Sequence, residues 1–175
     1  MRWTRIFKRP AASLAVATRL PEADFVADRT EYSFAVAAQP VSAESLAAAG
    51  NVLVRTVHGA RMRTRATAFL ELSRVFDFPA GSGDNADALI DLLSDLEWLG
   101  ERRGYLTYIG DAAQVLADEP DQLGDWLTTI RYAQARWNDP DYTTGWSPRF
   151  RIVAVDTKPL SPAWSALGAA VALDG

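Results

Sequence analysis

The chain has 175 residues, 49% hydrophobic and 23% charged, the balance of a globular protein with enough apolar residues for one core. Its formal charge of -4 argues against general attraction to nucleic acid or to an anionic membrane and suits a basic partner. With no cysteine and one histidine, His58, disulfides, thiolate chemistry and His-built metal clusters are excluded, and a Ser-His-Asp triad would rest on a single imidazole.

Arg2, Arg5, Lys8 and Arg9 precede an apolar run at 11–17. That run is short, rich in alanine and cut by Thr18 and Arg19, which reads against a secretory signal. No later stretch is long and apolar enough for a bilayer span, and cysteine-free composition agrees with a reducing cytosol. Residues 1–50 carry the weakest pattern. Strands are expected at 13–17 and at 32–38, where Tyr32, Phe34 and Val36 alternate with smaller residues. Pro21 and the polar run 28–31 suit a turn between them. Two readings stand for this segment: a β-hairpin appendage, or a partly ordered arm.

From Val52 the pattern sharpens. Val52, Leu53, Val54 and Val57 predict a buried strand ending at His58 and Gly59. Thr64 can cap a helix whose Phe69, Leu70, Leu72, Val75 and Phe76 fall at helical spacing, and Phe78-Pro79 stops it. A tight loop at 81–83 leads to a second helix over about 85–99. A strand at 105–109 follows, then a short helix at 111–117 broken before Pro120. A longer helix over 121–137 carries Leu123, Leu127, Ile130 and Ala133 on one side, and a loop at 138–148 leads to a last strand at 150–155. Ser161-Pro162 suits the start of a terminal helix sharing Trp164, Leu167 and Val171 on one face. Strands alternating with helices predict an α/β fold, a small three-stranded parallel sheet packed with helices. The expected organisation is a domain over 51–156, an appendage of unknown role at 1–50 and a tail with a short helix at 157–175.

The second helix carries the clearest functional pattern. Asp87, Asp91 and Asp95 are spaced i, i+4, i+8, with Asp84 beside the cap, so their carboxylates rise along one face. Leu89, Leu92, Leu93 and Leu96 fall on the other. No lysine or arginine lies between Val75 and Glu101, so nothing local offsets the like-charge cost of a few tenths of a kcal/mol per pair. Such a conflict is expected where binding is selected over stability, although composition alone would also fit a solvated acidic face.

The run from Phe78-Pro79 through Gly81, Ser82, Gly83, Asp84, Asn85, Ala86, Asp87, Ala88 and Leu89 to Asp91 resembles the signature of the barstar family: a Pro, a glycine loop, then an Asn-x-Asp-Ala-Leu-x-Asp helix. The order of elements from 51 to 156 is similar as well. The resemblance implies a small intracellular, non-enzymatic inhibitor without cofactor or metal, which inserts its second helix and adjoining loop into the active site of a secreted basic ribonuclease. Asp87 and Asp91 match the family's acidic contacts, and Gly81, Ser82, Gly83, Asp84 and Asn85 its binding loop. Gly81 and Ser82 stand where bulky aromatics are common, Ile90 where tryptophan often separates the two aspartates, and Tyr132 where a late glutamate is found. These departures leave the target open: a ribonuclease, or another basic toxin domain served by an immunity or regulatory module.

Other chemistry fits less well. Asp84, Asn85 and Asp87 lack the glycine and glutamate spacing of a calcium loop, and the carboxylates face no second acidic cluster, as glycoside hydrolysis requires. His58 reads as a structural or loop residue, and Trp98, Trp126 and Trp137 as packing residues. Tyr142 and Trp146 could fold back on the body or lie beside the binding face.

Overall fold

A computed structural model describes residues 13–27, 30–48, 50–100, 102, 104–137, 139 and 149–174. Tyr142 and Trp146, in the segment expected as a loop, and the basic start of the chain lie outside them. The strands are β1 (Val16–Pro21), β2 (Phe34–Ala37), β3 (Val52–His58), β4 (Gly104–Gly110), β5 (Arg149–Val155) and β6 (Ala170–Asp174). The helices are α1 (Glu22–Val26), α2 (Ala43–Ala48), α3 (Arg65–Phe76), α4 (Ala86–Asp95) and α5 (Leu123–Trp137).

The fold is α/β, as expected, but its sheet is larger. Among the described residues six strands form one sheet in the order β1-β6-β2-β5-β4-β3, and every pairing is parallel. The expected three strands are its β3-β4-β5 half. The N-terminal strands do not make a hairpin: β1 pairs with β6, and β2 lies between β5 and β6. Hairpin strands are antiparallel, whereas here α1 carries the chain from β1 to a strand two places away. The C-terminal expectation changes too. Residues 162–167 form a 3-10 helix that buries Trp164 and Leu167, Gly168 breaks it at φ 109°, a conformation open to glycine, and Val171 sits in β6. The segment expected as a helix at 111–117 is a 3-10 turn at 112–114.

Both faces of the sheet are covered, as parallel sheets require. On one face Leu72, Leu93, Leu127, Ile130 and Trp164 pack over Phe34, Tyr105, Ile109 and Ile152. On the other, Phe25 and Val26 of α1 and Leu46 of α2 pack over Leu106, Tyr108, Val153 and Val171. Arg151 is buried on this second face, donating to the Phe25 carbonyl with its guanidinium 5.8 Å from the Phe25 ring centroid. Buried Glu22 accepts from the Ser42 amide at 2.6 Å and hydroxyl at 2.7 Å, tying α1 to the start of α2.

Three local features fix the frame of the candidate site. Thr64 caps α3 in a reciprocal capping box with Thr67. Gly59 is compulsory, because a Cβ there would lie 2.2 Å from the Asp111 carbonyl oxygen. Glu71, buried within α3, accepts from the His58 amide at 3.2 Å and from Arg74 at 2.9 and 3.0 Å. The Arg74 hydrogen bond, against the opposing effect of burial, holds the Glu71 carboxyl below the usual carboxylate range.

Candidate partner-binding face

The chain leaves α3 through Asp77, in the left-handed conformation at φ 51°, and the Phe78 amide donates back to the Ser73 carbonyl at 3.0 Å. This turns Phe78 inward against Phe69, Phe76 and Trp98, with ring centroids 5.8 to 6.3 Å apart. The following loop therefore stands off the body. The Pro79 carbonyl accepts from the Ser82 amide at 3.2 Å and hydroxyl at 2.6 Å, and Gly81 makes the turn possible at φ 83°. Gly83, Asp84 and Asn85 follow, all exposed. Asn85 is the N-cap of α4, its side-chain oxygen accepting from the Ala88 amide at 2.9 Å.

Helix α4 divides as its spacing predicts. Leu89, Leu93 and Leu96 are buried and Leu92 half-buried, while Asp87, Asp91 and Asp95 are exposed and Ile90 lies between the two classes. The helix is shorter than expected. It ends at Asp95 because Leu96 adopts φ 50°, which carries that side chain into the core. Residues 97–99 form a 3-10 turn, and the Trp98 indole donates to the Phe76 carbonyl at 2.8 Å.

Helix α5 packs beside α4, with the Trp137 indole donating to the Leu93 carbonyl at 2.7 Å. Of the three tryptophans expected to pack, Trp126 and Trp137 are buried and Trp98 is half-buried. Tyr132 is 60% exposed and lines, with Ile90, Ala135, Arg136 and Asp139, a depression of about 410 Å³. Ile90 and Tyr132, singled out separately in the sequence, thus share one patch. A second groove of about 350 Å³ lies on the loop side, between Asp84, Asn85 and Leu89 and the side chains of Arg65, Phe69 and Trp126. The carboxylate crest runs between an aromatic-edged depression and a mixed groove, with the loop at one end and Asp95 at the other.

One contact alters the electrostatics anticipated from sequence. Arg136 of α5 donates to the Asp91 carboxylate at 2.6 Å, so Asp91 is offset by a cation that no reading of α4 alone reveals. Both side chains keep solvent access, 38% for Arg136 and 69% for Asp91. The signal for Arg136 was its place one helical turn after Tyr132, which puts both residues on one face of α5.

Comparison with known families bears on what this face is for. The model of the family described as Barstar (barnase inhibitor) matches residues 52–146, more than half of the chain. The chain belongs to the barstar family. The match begins at the first residue of β3 and runs past the end of α5, so the loop, α4 and the Tyr132–Arg136 face of α5 all lie within the barstar segment, whereas β1, β2 and β6 lie outside it. Barstars are inhibitors rather than enzymes, and their partners are ribonucleases. No curated protein matches the chain. Among the described residues no helix is long and apolar enough to cross a membrane.

Proposed function

We propose that this barstar-family protein inhibits a basic microbial ribonuclease of the guanyl-specific type from within the cytoplasm, laying α4 and the loop before it across the nuclease active site. The observation that carries the reading is the pair Asp87 and Asp91, one turn apart and exposed on a helix anchored by buried leucines. A ribonuclease active site collects Arg, Lys and His to hold phosphate. Aligned carboxylates can occupy those phosphate positions while offering no bond to cleave, and opposite charge speeds the encounter. Gly81, Ser82, Gly83, Asp84 and Asn85 would follow the active-site rim, Ile90 and Tyr132 would supply apolar contact on the α5 side, and Asp95 would extend the acidic track. The test is titration of a guanyl-specific bacterial ribonuclease: RNA cleavage should disappear at one equivalent of the chain.

A second reading, an immunity or antitoxin module for a basic toxin domain that is not a ribonuclease, draws on one specific observation. Arg136 already engages Asp91, so the partner that releases this pair must present a cation in a geometry particular to it. Persistence of ribonuclease activity at excess protein would favour this reading.

A further inference from the structure

The part of the sheet outside the barstar match builds a separate concave site. Strand β2 is followed by α2, which packs on one face of the sheet, and its neighbour β5 is followed by residues 162–167, which pack on the opposite face. In open parallel sheets, adjacent strands whose connections leave toward opposite faces open a crevice beyond their carboxyl ends, and ligands settle there. A crevice of about 330 Å³ lies at that point, within the size range of small-molecule sites. Val36, Ala154, Leu160 and Ala172 give it an apolar floor, and Leu14 closes one side, its amide donating to the Leu160 carbonyl at 2.8 Å.

The polar groups around it are unequally committed. Asp156 has both carboxylate oxygens engaged, one by the Lys158 amide and one by the Ala113 amide, each at 2.8 Å. Its negative charge remains beside the crevice, but both oxygens are already engaged by backbone amides that hold the loop. Arg19 is paired with Asp174 at 2.7 Å. Lys158 also lines the crevice, is exposed, and takes part in no ion pair among the described residues. Among the described residues Lys158 is thus the lining cation without an ion-pair partner, at the edge of an apolar pocket, which favours an amphipathic anion.

We propose that this crevice binds a small organic anion, a carboxylate on a short apolar body, with the body against Val36, Ala154 and Leu160 and the carboxylate at the Lys158 ammonium. The site is independent of the ribonuclease reading, since none of its residues lies within the barstar match. The test is an amide NMR titration of the whole chain with octanoate, with octylamine as a control of equal length and opposite charge. Saturable shifts should centre on 36–38, 154–160 and 172–173 with octanoate alone. Lys158→Gln, a change on the surface, should weaken octanoate binding by roughly threefold or more. Ala38→Trp, at the exposed rim, should abolish it, with thermal unfolding checking that both variants remain folded. Absence of saturation, shifts centred elsewhere, equal binding of octylamine, or undiminished binding by Lys158→Gln would each overturn the proposal.

Discussion

Replacing Asp91 by alanine separates the two meanings an acidic helix can have. In the free protein the change removes the Asp91–Arg136 pair, whose two members are both substantially exposed; such pairs contribute about 0.2 to 1 kcal/mol. It also removes repulsion from Asp87 and Asp95, about 0.2 to 0.5 kcal/mol for each neighbour. These effects oppose each other, so net stability should shift by less than about 1 kcal/mol, or under about 4 °C in Tm. In binding the only offset is the Asp91–Arg136 pair that no longer has to be broken, at most about 1 kcal/mol. A partner cation that meets Asp91 in a desolvated interface is stranded by the alanine, at a cost of about 2 to 5 kcal/mol, or roughly 30- to 5,000-fold in Kd, most of it as faster dissociation. Arg136→Gln acts in the opposite direction. It frees Asp91 beforehand and should tighten binding by up to about fivefold, the intramolecular pair no longer competing. Thermal unfolding and stopped-flow kinetics against a guanyl-specific ribonuclease, on the two single variants and the double variant, measure all of these. If Asp91→Ala costs no more binding than Glu97→Ala beyond the helix end, the crest is solvated surface and the reasoning fails.

Association should slow steeply between low and high salt while dissociation changes little, since exposed carboxylates steer through a screened field; a flat association rate would point to an apolar interface elsewhere. Asp87→Ala should weaken binding and also lower Tm slightly, because Asp87 lies in the first turn of α4 where a negative charge favours the helix; a binding loss with unchanged Tm would remove the second role. Glu71 has a lowered folded-state pKa, so its stabilisation is complete above the unfolded carboxylate value of about 4.3 and is lost as pH falls through the folded value; in acid unfolding the gap in stability between the parent and Glu71→Gln should narrow below about pH 4.3. A chain cut to 50–157 loses β1, β2 and β6 and bares the edge of β5 together with Val153 and Leu106, so size-exclusion chromatography should show aggregation, or thermal unfolding a marked loss of Tm.

The middle of the chain was legible because its signals are local. Thr64, the leucine spacing of α4, the Val-rich β3 and the apolar stripe of α5 each act within a few residues, and the resulting elements fall within a few residues of expectation. The outer strands were not legible, because their meaning lies in pairing across the chain. Val16 meets Ala170 and Phe34 meets Ile152, and no local pattern distinguishes a strand that joins a distant parallel partner from one that folds back on its neighbour. Val171 failed for a related reason: Trp164, Leu167 and Val171 fit a helical stripe, and only Gly168 signals that the stripe is broken. The acidic crest was visible as spacing, yet its electrostatics depended on Arg136, 45 residues away in sequence and adjacent only through the packing of α4 on α5.

The aromatic tie between Phe78 and Trp98 has a consequence for how such a domain diversifies. The Trp98 indole bonds to the Phe76 carbonyl and its ring meets Phe78 edge-on, so the chain enters and leaves the 79–97 excursion at one clasp. With both ends held, lengthening or rewriting the loop adds only the slowly growing entropy of a longer closed segment. The exposed positions of the loop and crest, Gly83, Asp84, Asp87 and Asp91 among them, can therefore change while the clasp, the Asn85 cap and the buried Leu89, Leu93 and Leu96 keep the helix in place.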